Sequence, residues 1–316
     1  MKVLSLMFIP LLFVVFGCQK DNSILESEPD LKMRPLSTQE QIIVEADQSF
    51  SFNLMKEIVE SDTADNIFIS PLSVSYAFGM ALNGANGSTY DAIRNVLELQ
   101  GLTEDQINQS FKSLMLLLMQ LDDKVIFEIA NSIWYRDTFP VLESFIDVNK
   151  EYFDAEVAAL DFADPAAVDI INDWISDKTH EKIKKMLDYI DRDAVMYLIN
   201  AIYFKATWLY EFDKDYTTEE NFYTEDQGTK KCQMMKVTAD LDYYVGDDFS
   251  AVTLPYGNEF YNMTVILPNE QTAVKDFITS FDLSSWQALL NNMVVGKGTV
   301  GLPKFISEYK LTRCAN

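Results

Sequence analysis

Asn66–Leu97, NIFISPLSVSYAFGMALNGANGSTYDAIRNVL, decides how the rest of the chain is read. It opens on a short apolar strand, Ile67-Phe68-Ile69, and breaks at Ser70-Pro71. Serine is a favoured helix cap and proline a favoured first helical residue, so the helix start is marked twice. From Leu72 to Leu82 Ser73 and Ser75 are the polar interruptions, and a helix apolar almost all round belongs inside a core. Burial of Leu72, Val74, Phe78, Met80 and Leu82 contributes about 1.5–3 kcal/mol per side chain. Ser73, Ser75, Ala77 and Gly79 are small, which lets another element approach closely. Gly84-Ala85-Asn86-Gly87 ends the helix, and Ser88 with Asp91 reads as the capping box of the next.

Outward from this stretch, helical spacing begins at Ile42 on one side. On the other side a helix at Ser88–Leu99 is stopped by Gly101, and Thr103 with Gln106 caps another that runs to about Leu121. Val125, Phe127, Ile129, Asn131, Ile133 and Tyr135 alternate as a strand does. Trp134, Ile126 and Ala130 on its other face imply that both faces are covered. Helix is expected over Val141–Phe153 and Ala166–Lys178, with a strand over Glu156–Phe162 between them. Ala194–Trp208, AVMYLINAIYFKATW, is apolar on both faces and reads as a central strand. Asn200 in its middle needs partners, since an unpaired buried amide costs about 1–3 kcal/mol. Further strands are expected around Met234-Met235, Val252–Tyr256 and Met263–Pro268, a helix pair or one long helix over Phe277–Asn292, and a strand over Val300–Tyr309.

These segments, taken in order, resemble the serpin family. NIFISPLSVSYAFGMALNGANGST is similar to the family's helix B signature, and Asn172-Asp173-Trp174-Ile175 with Lys178-Thr179 to the end of its helix F. Asn200-Ala201-Ile202-Tyr203-Phe204-Lys205-Ala206-Thr207-Trp208 resembles strand 3A. Leu254-Pro255-Tyr256 and Ile266-Leu267-Pro268 resemble paired strands of sheet B, and Leu302-Pro303-Lys304-Phe305 the start of strand 6A. Glu181 stands where the family's turn after helix F carries glycine, so a differently built turn is expected there. The resemblance covers roughly Ile42–Leu311. It implies an α+β serpin fold of three β-sheets and about eight to nine helices. Carried over, Ser70, Ser73 and Asn200 match the "shutter" under sheet A, and Trp208 the "breach" where loop insertion begins. The implied activity is suicide inhibition of a serine (or cysteine) protease: a cleaved loop inserts as a strand and drags the acyl-enzyme with it. The family pattern would continue past Leu311 with strand 5A, the hinge and the reactive-centre loop. No hinge-like run of small residues occurs in the sequence, so no reactive-centre residue is named. Thr312–Asn316 no longer resembles the family and reads as an aberrant tail on an incomplete serpin domain.

Other chemistry is poorly supplied. Lysine and arginine number 25 against 49 aspartate and glutamate, a net charge of −24, which repels a phosphate backbone and excludes nucleic acid as a partner. Ser-His-Asp or Cys-His catalysis needs a placed histidine, and the single one, His180, reads as a solvated residue at a helix end. No histidine–cysteine cluster or EF-hand spacing supplies a metal site, and no cofactor is expected. Gly296-Lys297-Gly298-Thr299-Val300-Gly301 has the glycine spacing of a dinucleotide loop but no following helix, and reads as a flexible turn. Cys232 replaces an apolar strand residue, with pairing to Cys314 left open.

Met1–Gly17 reads as a lipoprotein signal peptide. Val3–Phe16 would span roughly 21 Å as helix, short of a ~30 Å hydrocarbon layer. Val15-Phe16-Gly17-Cys18 resembles a bacterial lipobox with Cys18 as the lipid-attachment residue. Residues 18–40 are then a polar, acidic tether, residues 41–311 the serpin domain and residues 312–316 the tail. The expected product is an exported, membrane-anchored monomer in the cell envelope, at the cell surface or in the extracellular space, with a serine or cysteine protease as its partner. Three functions stand side by side: a protease inhibitor, a non-inhibitory serpin-fold binding lipoprotein, and a truncated, aggregation-prone product without activity.

Overall fold

The structure, a computed structural model, describes residues 34–225 and 228–311. The signal peptide, Cys18, most of the tether, Cys314 and residues 312–316 lie outside the described residues. Eight helices and eight strands follow in order: α1 Thr38–Ser61, α2 Pro71–Leu82, α3 Gly87–Val96, α4 Glu104–Gln120, β1 Val125–Arg136, α5 Glu143–Phe153, β2 Ala155–Leu160 and α6 Ala166–Lys178. Then come β3 Met196–Ala206, β4 Thr218–Tyr223, β5 Thr229–Val245, β6 Phe249–Tyr256, β7 Tyr261–Pro268, α7 Val274–Ser280, α8 Leu283–Asn292 and β8 Val294–Pro303.

Local chemistry sets the helix starts. The Ser70 side chain caps α2 with Pro71 in the first turn, and Thr103 with Gln106 forms the capping box of α4. The expected Ser88–Asp91 box is replaced: α3 begins a residue earlier, at Gly87, and Asn86 Oδ1 accepts from the Gly87 N–H at 2.7 Å. The fold also begins before residue 41. Ser37 and Glu40 form a capping box on α1, and Arg34 donates to Glu40 Oε2 at 2.7 Å and to Ser113 of α4 at 2.7 Å. That guanidinium holds the Glu40 carboxyl at about 2, well below its ordinary 4.5.

β1, β2 and β3 form a three-stranded sheet in the order β2-β1-β3, with β2 parallel and β3 antiparallel to β1. Strand alternation sorts its side chains onto two cores. Ile129, Ile133, Leu198 and Ile202 face a large cluster with Tyr76, Met80, Phe111 and Phe153. Trp134, Tyr197, Ile199 and Ala201 face α6 through Ile171, Trp174 and Ile175. Both faces are covered, as expected, and the Trp134 and Trp174 rings meet edge-on at 6.2 Å. Gly79 is the close approach anticipated in α2: a Cβ there would stand 3.0 Å from Phe153 Cε1. Phe78, by contrast, is 42% exposed rather than buried.

β4 to β8 join into one five-stranded sheet because β5 runs unbroken for 17 residues. Tyr243 pairs with both Val252 and Val294, and Met234 with both Thr218 and Pro303. A residue has only two ladder edges, so β8 occupies one edge of β5 while β4 and β6 share the other. The third sheet of the sequence expectation is thus continuous with the second among the described residues.

Two readings need correction. Gly296–Gly301 is not a flexible turn but the middle of β8, laddered against Lys236–Leu241. Glycines without side chains to pack read as a turn in sequence; here β5 supplies the ladder that holds them extended. Leu302 and Pro303 end that same strand, and Lys304 N donates to Gln233 O at 2.8 Å, so among the described residues they belong with β5 and not beside β3.

Candidate functional site

Asn131 and Asn200 stand directly opposite each other on β1 and β3, on the face turned towards α2. Each occupies a position where its neighbours on that face are isoleucine or leucine. Asn200 Nδ2 donates to Asn131 Oδ1 at 2.8 Å, and Asn131 Nδ2 donates to the Phe153 carbonyl at 2.7 Å. Below them the Ser73 hydroxyl lies 2.5 Å from Asn200 Oδ1 and 3.1 Å from the Asn200 carbonyl. Ser73 N in turn donates to Ser70 Oγ at 3.3 Å. Ser70, Ser73 and Asn200 are therefore brought together, in a chain from the cap of α2 to the centre of the sheet. Asn131 was not singled out from sequence; its place among Ile129 and Ile133 in an apolar alternation was the available signal.

Two residues further along α2 and on another side of the helix, Ser75 is fully buried and its hydroxyl donates to Asp47 Oδ1 of α1. Burial raises the Asp47 carboxyl to about 6 from its ordinary 3.8, the Ser75 hydrogen bond offsetting part of the rise. Burial and the neighbouring Asp47 charge also raise the Tyr76 phenol, whose hydroxyl donates to the Phe111 carbonyl at 3.1 Å. A run of polar groups thus passes beneath the apolar sheet, each with a partner.

Trp208 stands apart from this cluster, beyond the end of β3, roughly 26 Å along the chain from Asn200 at strand rise. It forms an isolated antiparallel bridge with Tyr256, and the two rings stack at 4.3 Å and 18°. Leu209 N donates to the Pro255 carbonyl at 2.9 Å, so the chain leaving β3 is tied to the end of β6.

The outer edge of β3 carries no strand among the described residues. The sequence reading made this strand central; in the described structure it is an edge with apolar side chains on both faces. Over it lies the end of α6. His180, expected to be merely solvated, is half exposed, and its Nε2 lies 2.7 Å from Glu128 Oε2 of β1 with its ring 4.2 Å from that of Tyr203. The next residue, Glu181, adopts φ 60°, the left-handed region that glycine favours. The turn keeps a glycine-like backbone without the glycine. Cys232 lies in β5 and has no disulfide partner among the described residues. No cluster of metal-ligating side chains occurs among the described residues.

Among the described residues, a three-stranded sheet with helices on both faces and a polar chain beneath it, beside a five-stranded sheet, makes a mixed α+β protein. A sequence model of the serpin (serine protease inhibitor) family matches residues 45–313. An uncharacterized serpin-like protein of Methanosarcina acetivorans is 30% identical over 326 residues, spanning 98% of this chain and 75% of that protein. Iripin-2 of Ixodes ricinus is 32% identical over 275 residues, spanning 85% of this chain and 69% of that one. Among solved structures, the thermophilic serpin Tengpin in its latent state is similar with a TM-score of 0.76 at 29% identity, covering 86% of this chain and 73% of its own. The chain belongs to the serpin family, a family of protease inhibitors and not of enzymes.

Proposed function

We propose that this chain is the body of a protease inhibitor that works by accepting a strand at the open edge of β3. The observation that carries the reading is that edge: an 11-residue strand, apolar on both faces, paired with β1 on one side and with no strand on the other among the described residues. Unpaired backbone groups on such a strand are a template for an added strand. Ser73, Asn200 and Asn131 give the underside hydrogen bonds that re-form after a small shift, which a jigsaw of branched apolar side chains does not. In this reading Ser70, Ser73, Asn200 and Asn131 are the shutter, and Trp208 marks the mouth where addition starts. The inhibitor's groups perform no acid–base chemistry. The target's own serine or cysteine attacks a loop, and strand addition then traps the acyl-enzyme.

Cys18 supports an exported lipoprotein form, in which two or three acyl chains at ~0.8 kcal/mol per buried CH₂ give stable anchoring. The test uses the protein as cells make it. Purified from membranes, it is weighed intact, incubated with trypsin-, chymotrypsin-, elastase- and papain-like proteases, and run on denaturing gels. A covalent complex resistant to detergent is expected with at least one protease. Absence of any such complex, from protein whose mass exceeds that of residues 18–316 plus lipid, rejects inhibition in favour of a binding role. A mass equal to residues 18–316 plus lipid supports the truncated, inactive product. A Cys18→Ser chain that stays in the membrane fraction rejects the anchor.

A further inference from the structure

A buried carboxylate that this polar chain does not use lies at one end of the same sheet, where Val125 pairs with Ala206. Asp122, in the turn between α4 and β1, is 4% exposed. It accepts from Asn258 N at 2.7 Å, Asn258 Nδ2 at 2.9 Å and Lys124 N at 2.9 Å. Asn258 belongs to the turn joining β6 to β7, so the carboxylate bridges residues 136 apart in the chain and links the two sheets. The turn is shaped for it. Gly257 has φ 51°, and a Cβ there would lie 2.5 Å from Asp122 Oδ2. Only glycine satisfies both the backbone and the space.

The same turn reaches Trp208. Gly257 N donates to the Thr207 carbonyl at 3.0 Å, next to the Trp208–Tyr256 stack. Across the sheets, Tyr261 stacks on Phe127 of β1 at 5.6 Å and meets Phe204 of β3 edge-on at 5.5 Å. We propose that Asp122 is a positioning residue: it clamps the β6–β7 turn onto the start of β1, and through that turn holds Trp208 at the end of the open edge. Resting on the strand-addition reading, the clamp further sets how readily that end admits a new strand.

The test compares the full chain with Asp122→Ala and with the milder Asn258→Ala, which removes a side-chain donor and no buried charge. Amide hydrogen exchange is followed at 204–209 and 255–261, with 131–136 as the internal control. In both variants exchange at the two segments is expected to rise about tenfold or more, the factor that ~1.4 kcal/mol of lost hydrogen bonding gives, while the control changes little. No change there in the Asn258→Ala chain, or an equal rise in the control, overturns the clamp. A second arm follows addition of an acetylated peptide of alternating threonine and alanine, as long as β3, by fluorescence anisotropy. Faster addition to both variants than to the unaltered chain supports the gating role, and equal rates overturn it. Addition to none of the three chains rejects strand addition itself, while exchange still decides the clamp.

Discussion

Asn200 occupies a sheet position where Leu198 and Ile202, two residues to either side, face an apolar core. It survives there because Asn131 and Ser73 satisfy it. Asn200→Ala leaves Asn131 Oδ1 without its donor, whereas the Ser73 hydroxyl keeps the backbone carbonyl of residue 200; one orphaned buried group costs about 1–3 kcal/mol. Urea unfolding is therefore expected to show a loss of about 1–3 kcal/mol; a loss below ~0.5 kcal/mol, the range of neutral surface changes, would mean that water replaces the amide. Asp47 gives a second residue-scale expectation, with a sign of its own. Its folded pKa is raised, so the native chain holds that proton more tightly than the unfolded chain. The contribution to stability is full below about pH 3.8 and lost as pH rises through about 6. Asp47→Asn is accordingly expected to stabilise the protein at pH 7.5 by on the order of 1–3 kcal/mol and to lose that advantage near pH 4. Thermal melts of the two chains across this range check it, and a pH-independent difference would assign the effect to packing instead.

At the scale of elements, the end of α6 shows how one departure from the family pattern is accommodated. The left-handed backbone at His180 and Glu181 costs each residue about 1 kcal/mol relative to glycine. His180 regains some of this through Glu128 and Tyr203, whereas the Glu181 side chain lies 4.0 Å from Lys184 and is well exposed. Glu181→Gly is expected to raise the urea midpoint by an amount equivalent to roughly 0.5–1 kcal/mol without changing the m-value. An unchanged or lowered midpoint would mean that the added freedom of the unfolded glycine chain outweighs the strain. α2 was legible to within a residue because its start is written in chemistry that acts locally, a serine cap and a proline. α3 was not, because Asn86 and Ser88 are both competent caps and the packing of Tyr90 and Ile93 against the core selects the earlier one.

For the whole molecule, the excess of acidic residues sets the electrostatics. With a net charge of −24, self-repulsion opposes the compact state. Raising sodium chloride from about 10 to about 150 mM shortens the screening length from ~30 to ~8 Å, and the melting temperature is expected to rise. A fall would show that pairs such as Lys236–Glu220 and Lys310–Asp188 outweigh the repulsion. The same scale holds the exposed apolar side chains Val245, Leu267, Val295 and Ile306. They lie on and beyond the five-stranded sheet, away from the α2 and α6 cores.

What the sequence determined by itself is what short-range physics dictates. Helix caps, the alternation of β1 and the doubly apolar β3 are set by neighbours a few residues away, and Ser70, Ser73 and Asn200 were singled out by motifs carried on those elements. The tertiary structure alone decided which strand lies beside which. It turned the Gly296–Gly301 segment from an apparent turn into a strand, because a ladder partner some sixty residues distant cannot be read from local composition. It paired Asn131 with Asn200, and it set Asp122 against Gly257, since both depend on register and on the approach of separate sheets. Long-range pairing is chosen by the whole chain's packing, and no window of sequence contains it.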